Sequence, residues 1–484
     1  MNPQIRRLFI VTLGLFAVLG ISATLIQFVF APGLISDQRN ARRYLQAAER
    51  DRGPIIVADA PVAYSERIEG TNTFQRQYPQ GPLYSAVTGY FSAVNQSATG
   101  IESAENETLE GGSTLMFWQR LRNLFAGNPR QGGGVVLTID QVMQQVAAEG
   151  LAGRRGAAVA LDVQTGAVLT LYSSPAFDPN PLSSLDTSVA EAATATLEDD
   201  PARPLDNRAI AGNRYAPGST FKILTTVALL EAGISPGTEL ESPQSTILPG
   251  TSTAIQNVDG MECGTGMVTL AEAFARSCNT TFIIASESLP KDALQKVTTW
   301  FGFGEALSIP LTVTPSVFPQ NPDAAQLAMS AIGQFDVQVT PMEMAIVTAT
   351  IAKGGVMMQP YLVQSIVDSD NTVLSKTQPR ELRNPVSASI AGEVAEMMVG
   401  AVDQPYGAAS GMAIDGVQVA AKTGTAEVGS SGMANAWMVA FAPADNPRIA
   451  VAVIVEGDET DPSPRGGTTA GPIAKRLLEA GLGR

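Results

Sequence analysis

The sequence predicts an α+β protein with a central antiparallel β-sheet flanked by helices. An N-terminal anchor helix and an elongated, non-catalytic β-containing domain are expected to precede it. Residues 157–172 have the pattern of a β-hairpin, and three apolar strands with short connections follow one another near the end of the chain. Helical patterns lie mainly between these two regions, so we expect a sheet assembled from distant parts of the chain.

The composition of the chain excludes several classes of partner and of active site. The 484-residue chain has a net charge of −15 and no histidine. The charge argues against a nucleic-acid partner, since phosphate binding needs a basic surface. Without histidine, Ser-His-Asp and Cys-His triads and the common histidine-bearing zinc sites are excluded. We expect no metal and no cofactor. A nucleophilic serine would need another base, and lysine is the leading candidate.

The first segment predicts a membrane anchor. Leu8 to Phe30 is an uncharged stretch of 23 residues that follows Arg6 and Arg7. A helix needs roughly 20 apolar residues to cross a bilayer. We expect residues 1–33 to form a cytoplasmic tip and an uncleaved, single-pass anchor in the cell membrane, with the rest of the chain outside. A cleaved export signal and a buried helix are the alternatives.

Residues 34–133 contain no pairing of a nucleophile with a base. We interpret them as a non-catalytic pedestal or dimerisation-type domain, with peptide binding or partner docking as the alternative. Glycine and proline between Leu124 and Gly134 predict a linker. The second domain is therefore expected to cover residues 134–484.

Local patterns predict the elements of the second domain in order. Val135–Ile139 has the pattern of a strand, and Asp140 should cap a helix that ends near Ala152. The Ala-rich, acidic stretch 183–203 predicts a surface helix. The remaining predicted elements are hairpin strands at 157–162 and 167–172, late strands at 417–426, 436–441 and 448–455, and a closing helix at 473–480.

The run Tyr-Ala-Pro-Gly-Ser-Thr-Phe-Lys, residues 215–222, combines a turn with the start of a buried helix. Ser219 should lie in the first helical turn. Lys222, three residues later, lies on the same face, so its amine can lie beside the hydroxyl. The helix start also favours a developing alkoxide. An ordinary capped core helix is the alternative interpretation of this run taken alone.

Cys263 and Cys278 fit an oxidising compartment. A bridge between them would close a loop of about 15 residues, worth roughly 3 kcal/mol in the chain-entropy model. Two unpaired, small apolar side chains are the alternative.

Two further runs are Ser277-Cys-Asn279 and Lys422-Thr-Gly-Thr425. The ordered set Ser-x-x-Lys, Ser-x-Asn and Lys-Thr-Gly resembles the penicilloyl-serine transferase superfamily. Within it, the single anchor and the non-catalytic first domain resemble a class B penicillin-binding protein of the penicillin-binding protein A group. The runs 207–209, 332–334 and 339–341 are also similar to that group.

This resemblance implies that Ser219 is the acylated nucleophile and Lys222 its base. It further implies that Ser277 relays a proton to the departing amine, and that Asn279 holds Lys222 and the substrate amide. To act as a base near neutral pH, Lys222 must be desolvated or placed near another cation. Lys422 could be that cation.

The Lys-Thr-Gly run is expected within a strand. Alternation places Thr423 and Thr425 on one face, where two hydroxyls can grip a carboxylate. Gly424 lacks a Cβ, which lets the strand approach the serine helix. The resemblance implies that Lys422 supplies charge for that carboxylate. It also implies an oxyanion hole made by the N–H groups of Ser219 and Thr425. In other enzymes, one such donor stabilises the transition state by roughly 3 to 4 kcal/mol.

The resemblance implies a peptidoglycan D,D-transpeptidase of growth or division that β-lactams inhibit covalently. Its expected partners are stem peptides ending in D-Ala-D-Ala, β-lactam antibiotics, the cytoplasmic membrane and other cell-wall synthesis proteins. A D,D-carboxypeptidase or serine β-lactamase is one alternative, and a non-catalytic penicillin-binding sensor or scaffold is another. We interpret Glu427 as a solvated acid rather than a hydrolytic base, and Asp206 with Arg208 as a structural pair.

Overall fold

The computed structural model describes residues 3–30, 48–117, 125, 131–212, 214–260, 262–429 and 432–484. Helix α1 (Pro3–Thr24) continues as a π-helical segment, Leu25–Phe30. The most apolar part of Pro3–Gln27 has a mean hydropathy of 2.4 and is not buried by the rest of the protein. By length and composition this helix is a candidate membrane span, where the sequence predicts an anchor.

The other elements are numbered in chain order. The strands are β1 (Ile55–Val57), β2 (Ala60–Arg67), β3 (Phe74–Gln77), β4 (Phe91–Ser92), β5 (Ser97–Ala98), β6 (Gly134–Leu137), β7 (Gly156–Asp162), β8 (Val168–Ser174), β9 (Glu239–Ser242), β10 (Ser245–Ile247), β11 (Ala254–Gln256), β12 (Gly266–Thr269), β13 (Leu307–Ser308), β14 (Thr312–Val313), β15 (Met357–Met358), β16 (Val363–Val367), β17 (Val373–Lys376), β18 (Glu381–Arg383), β19 (Ala420–Val428), β20 (Met433–Ala442) and β21 (Ile449–Val455). The helices after α1 are α2 (Gly81–Thr88), α3 (Gly100–Ala104), α4 (Asn106–Leu109), α5 (Gln141–Gly150), α6 (Pro179–Leu182), α7 (Thr187–Glu198), α8 (Lys222–Glu231), α9 (Leu270–Arg276), α10 (Asn279–Ser286), α11 (Ala293–Trp300), α12 (Ala324–Ala331), α13 (Pro341–Ala352), α14 (Ala388–Asp403) and α15 (Gly471–Gly481).

One mixed sheet has the strand order β17-β16-β6-β1-β2-β3. Strand β6 pairs in parallel with β1, with Ile55 opposite Val135, and antiparallel with β16. The expected domain boundary at residue 134 thus falls at the start of a strand that joins the first region to later parts of the chain. Most of the predicted linker, 124–134, lies outside the described residues, and the division into domains stays a prediction.

A buried ion cluster ties this sheet to helices α3 and α4. Glu102 accepts hydrogen bonds from Arg52 Nε and Arg76 Nε, each at 2.6 Å, and Arg52 Nη1 also donates to Asn106 Oδ1 at 2.7 Å. Burial alone would raise the pKa of Glu102, but the charges and hydrogen bonds of the two arginines hold it below its ordinary value. The cluster is buried and its charges are paired, with Arg76 Nη2 left without a hydrogen-bond partner, which fits a structural role for this region.

The central sheet has the order β19-β20-β21-β7-β8 and is antiparallel throughout. The predicted hairpin is β7–β8 and the predicted meander is β19–β21, so both predictions are confirmed. Strand β21 pairs along its whole length with β7, with Ile449 opposite Asp162. This pairing joins a strand near the end of the chain to one near the start of the predicted second domain.

Helices cover both faces of the central sheet. On one face, Met143 of α5 and Leu477 of α15 pack with Val451 and Val453; on the other, helix α13 contacts β7 and β21. Every residue of β21 is buried, which explains its uninterrupted apolar run. The predicted cap is also confirmed, since Asp140 Oδ1 accepts from Met143 N at 2.9 Å. The predicted surface helix is α7, and the predicted closing helix is α15.

Strand β19 is an edge of the central sheet, and the turn that opens helix α8 packs against it. An edge strand offers backbone groups to a neighbouring chain. The loops before α8 and between α9 and α10 meet at this edge, so segments far apart in sequence converge there.

Candidate active site

The turn that carries Ser219 is a single 3₁₀ segment, Gly218–Phe221, which leads directly into α8. Ser219 is 6% exposed, and Lys222 begins the α-helix one turn later. Gly218 has φ +52° and donates its N–H to Gly333 O at 2.9 Å. A Cβ on Gly218 would lie 2.6 Å from the carbonyl oxygen of Thr425, so only glycine allows this approach.

Gly424 brings strand β19 against the same turn. A Cβ at this position would lie 2.9 Å from Thr220 Cγ2 and 2.9 Å from Trp437 Cβ. Trp437 is fully buried, and its indole N–H donates to Ala216 O at 3.0 Å. The strand and the serine turn are therefore packed together, with no room for a side chain between them.

Ser277 and Asn279 lie at the junction of helices α9 and α10. Ser277 ends α9 with φ +65°, and Asn279 begins α10. Asn257 Oδ1 accepts from Asn279 N at 2.7 Å and so caps the second helix. Between the two residues, Cys278 forms a disulfide with Cys263, which fixes the junction to the preceding loop. These contacts hold the junction in a defined shape beside α8.

Lys222 is completely buried and makes two hydrogen bonds. Its Nζ donates to Ser277 O at 2.8 Å and to Asn279 Oδ1 at 2.8 Å. Burial is the larger cause that lowers the pKa of Lys222 well below 10.5, and the nearby charge of Lys422 lowers it further. Because a neutral amine has two N–H groups and one lone pair, these two bonds leave the lone pair available to accept a proton.

Lys422 lies on the other side of Ser277. Its Nζ donates to Ser277 Oγ at 2.7 Å and to Thr423 O at 3.1 Å. Burial lowers the pKa of Lys422 to about 7. Because Ser277 Oγ accepts from Lys422, the hydroxyl proton of Ser277 points to another partner. The three clusters singled out in the sequence thus meet around Ser277.

Thr423 and Thr425 are half-buried, whereas their chain neighbours Lys422, Gly424 and Ala426 are buried. Alternation along β19 places the two threonines on one face.

Within the described residues, no group of three or more Cys, Asp or Glu side chains could hold a metal ion.

A carboxylate that the sequence did not single out braces the serine turn. Glu456 Oε1 accepts from Tyr215 OH at 2.7 Å and from Arg208 Nε at 2.9 Å. The predicted Asp206–Arg208 pair is wrong, because Asp206 pairs with Arg203 at 2.6 Å instead. Glu456 lies 248 residues from Arg208, and no local pattern indicates such a pairing. Tyr215 lies four residues before Ser219, so this contact helps to position the serine turn.

Two family models match the chain. Residues 156–479 match the penicillin binding protein transpeptidase domain, and residues 52–135 match the penicillin binding protein A dimerisation domain. The first match covers the central sheet, the serine turn and the junction at Ser277. The second covers strands β1 to β3 of the mixed sheet and the residues of the buried ion cluster.

Full-length relatives and solved structures show the same similarity. The chain is 41% identical to the peptidoglycan D,D-transpeptidase PbpA of Mycolicibacterium smegmatis, over 100% of this chain and 99% of that protein. It is 30% identical to the peptidoglycan D,D-transpeptidase MrdA of Escherichia coli, over 84% of this chain and 71% of that protein. Penicillin-binding protein A of Mycobacterium tuberculosis, solved as a ceftriaxone acyl-enzyme complex, matches with a TM-score of 0.85 and 40% identity, over 90% of this chain and 100% of that one.

The close approach at Gly424 can be tested by adding a single methyl group. We expect Gly424→Ala to lower the free energy of unfolding by about 1 to 3 kcal/mol, because the new Cβ overpacks the contact with Thr220 and Trp437. Thermal and denaturant unfolding of the full chain in micelles would measure the change. Gly237→Ala is the matched control, since its Cβ would meet no atom within 4 Å. Equal stability of the two variants would contradict the packing argument.

Proposed function

The chain belongs to the class B penicillin-binding proteins, and from this premise we propose how its own residues carry out the family's reaction. It is a peptidoglycan D,D-transpeptidase of cell-wall synthesis, and β-lactams acylate it. The observation that best supports the residue assignment is the buried Lys222, whose two hydrogen bonds leave its lone pair free beside the serine turn. We assign Ser219 as the nucleophile and Lys222 as its base.

Acylation consumes one peptide bond of the donor. Ser219 Oγ attacks the carbonyl carbon of the penultimate D-alanine and gives its proton to the Lys222 amine. The N–H groups of Ser219 and Thr425 stabilise the negative charge on the tetrahedral oxygen, since the serine turn and β19 are in contact. The C–N bond then breaks, and the departing amine of the last D-alanine takes up a proton.

Ser277 is placed to supply that proton. Its Oγ accepts a hydrogen bond from Lys422, which leaves its own O–H free to donate to the leaving nitrogen. Ser277 then regains a proton, which is the one that Lys222 accepted from Ser219. Asn279 fixes Lys222 through its side-chain oxygen. Its Nδ2 donates one N–H to Gln256 O at 3.3 Å, and the second N–H is available to the substrate's backbone.

Transfer to the acceptor repeats these steps in reverse order. The amine of a second stem peptide attacks the ester carbonyl and loses a proton through Ser277 and Lys222. Ser219 Oγ leaves, regains its proton, and a new amide bond links the two peptides. Lys422 and the hydroxyls of Thr423 and Thr425 hold the terminal carboxylate of the donor before its last residue departs.

We propose that the first segments hold this chemistry at the membrane surface. We propose that α1 is a single-pass anchor with the N-terminus inside, because Arg6 and Arg7 precede its apolar stretch. The catalytic domain, 134–484, then lies outside the membrane, where a disulfide such as Cys263–Cys278 persists. Residues 34–133 are a non-catalytic pedestal that is available to other cell-wall synthesis proteins.

The nucleophile assignment predicts one covalent adduct. Incubation of the full chain in micelles with benzylpenicillin should add the mass of one antibiotic, and peptide mapping should place it on Ser219. Ser219→Ala should lose the adduct completely, since the other hydroxyl of this turn, on Thr220, is buried and donates to Pro217 O at 2.8 Å. Ser235→Ala, a change on an exposed loop, is the matched control and should keep it. An adduct on the Ser219→Ala protein would refute the assignment.

The two lysines also predict a specific pH dependence. The acylation rate should rise with pH as Lys222 loses its proton. The midpoint of this rise should lie well below pH 10.5, because burial and the charge of Lys422 lower the pKa of Lys222. Lys422→Met removes only the charge of Lys422, which is the smaller of the two causes. The midpoint of the rise should therefore move to higher pH and stay below the ordinary pKa range of lysine. Stopped-flow measurement of the rate of penicillin acylation across pH would give this midpoint. The comparison uses the midpoint and not the maximum rate, which the substitution can also change. A midpoint that is unchanged or lower in Lys422→Met would contradict the effect of Lys422 on the pKa of Lys222.

A further inference from the structure

Asn257 lies against the start of helix α10, although it precedes that helix by 22 residues in the chain. It follows strand β11 directly and is 5% exposed. Its Oδ1 accepts three hydrogen bonds, from Asn279 N at 2.7 Å, from Thr280 N at 3.1 Å and from Thr280 Oγ1 at 3.3 Å. One side-chain oxygen thus satisfies two of the free N–H groups at the start of this helix.

The preceding residue, Gln256, holds the side chain of Asn279. Its backbone oxygen accepts from Asn279 Nδ2 at 3.3 Å, while Asn279 Oδ1 accepts from Lys222 Nζ at 2.8 Å. Residues 256 and 257 together therefore fix both the backbone and the side-chain amide of the residue that holds the proposed base. A chain of hydrogen bonds leads from Asn257 through Asn279 to Lys222.

Asn257 fills this position with one donor left unsatisfied. Its Nδ2 is buried and has no hydrogen-bond partner in the part of the chain that the structure describes. Buried N–H groups are normally paired, so an amide that uses only its oxygen is uncommon. Aspartate caps helices as well as asparagine does, has no N–H to leave unpaired, and carries a charge that a helix start favours. Helix capping alone therefore does not explain the amide.

A carboxylate at residue 257 would differ from the amide in its effect on Lys222. A negative charge nearby favours the ammonium form of a lysine and raises its pKa, which is the opposite of what the proposed base needs. Burial and the positive charge of Lys422 lower the pKa of Lys222, and burial lowers the pKa of Lys422 to about 7. No carboxylate of the described residues is among these causes.

The other charged groups near helix α8 do not disturb this balance. Lys422 faces Lys222 across Ser277, and on α9 Glu272 and Arg276 pair with each other at 2.8 Å. The remaining charged groups on α8 and on the helices that pack against it, α10, α11 and α14, are exposed or half-buried: Glu231, Lys296, Glu393, Glu396 and Asp403. Residue 257 is instead a buried position, from which solvent would screen a carboxylate only weakly.

We propose that Asn257 is a positioning residue for the proposed base: its oxygen fixes Asn279 on Lys222, and its uncharged amide keeps a carboxylate away from that amine. The unpartnered N–H of Asn257 accompanies a neutral cap at a position where a charged one would oppose the chemistry. The inference rests on the proposed function, because it concerns the protonation of Lys222 as the base for Ser219.

Asn257→Asp separates the cap from the charge. The new carboxylate can accept the same three hydrogen bonds, which favour its ionised form. We expect the full chain in micelles to unfold at a temperature close to that of the wild type. The midpoint of the rise in penicillin acylation rate with pH should move up by about one pH unit. Acylation should then be roughly tenfold slower below the midpoint and close to the wild-type rate well above it.

Two further variants control for the loss of the cap and for the added charge. Asn257→Ala removes the cap without adding a charge, so it should lower the unfolding temperature and slow acylation at every pH, with the midpoint unchanged. Asn446→Asp makes the same exchange on the exposed turn between β20 and β21, and it should change neither the unfolding temperature nor the midpoint.

Asn279→Asp provides the same test if Asn257→Asp does not fold. Asn279 is half-buried, and a carboxylate in its place would lie in direct contact with Lys222 Nζ. The midpoint should therefore rise by at least as much as in Asn257→Asp.

Two results would overturn the inference. One is an unchanged or lower midpoint in Asn257→Asp, or in Asn279→Asp if only that variant folds. The other is an equal rise of the midpoint in Asn257→Ala. Penicillin adduct formation by the wild-type chain distinguishes these failures from failure of the proposed function. If the wild-type chain forms the adduct on Ser219 while the variants keep its midpoint, only the role of Asn257 is wrong. If it forms no adduct on Ser219, the nucleophile assignment is wrong as well.

Discussion

The site depends on the hydrogen-bonding arrangement of two buried lysines around one serine. Lys222 donates to the backbone oxygen of Ser277 and Lys422 to its hydroxyl oxygen, so a single residue holds both amines in place. Two ammonium ions cannot share a water-poor site at low cost. Burial of both side chains, together with their mutual repulsion, therefore favours a neutral Lys222, and a neutral Lys222 is what a histidine-free chain needs to activate a hydroxyl.

The rest of the fold serves to bring three segments to this point. Strand β19 is an edge strand of the central sheet, and Gly424 lets it pack against the serine turn. The α9–α10 junction that carries Ser277 is fixed by the Asn257 cap and by the disulfide of Cys278. Helix α13 packs on one face of the sheet, and α5 and α15 pack on the other. The active site thus rests on packed elements, which preserves the distances between its groups.

Much of this was predictable from the sequence because its signals are local. Hairpin alternation, the Asp140 cap and the apolar strands predict their elements, and the three short motifs indicate which residues should meet. The Glu456 brace was not predictable, since its partners lie more than 200 residues away and a single glutamate after a strand has no distinctive pattern. The mixed sheet was missed for the same reason: β6 pairs with strands on both sides of the expected boundary, and pairing between distant strands leaves no periodic signal in either one.

The central claim is that Lys222 is neutral in the resting protein at the pH at which the protein works, and its protonation can be measured directly. Lysine labelled with ¹³C at Cε would be incorporated into the full chain in micelles, and the Lys222 resonance would be assigned by comparison with Lys222→Arg. The account predicts that this resonance changes from ammonium to amine at a pH well below 10.5. A resonance that titrates at or above the ordinary lysine value would contradict it.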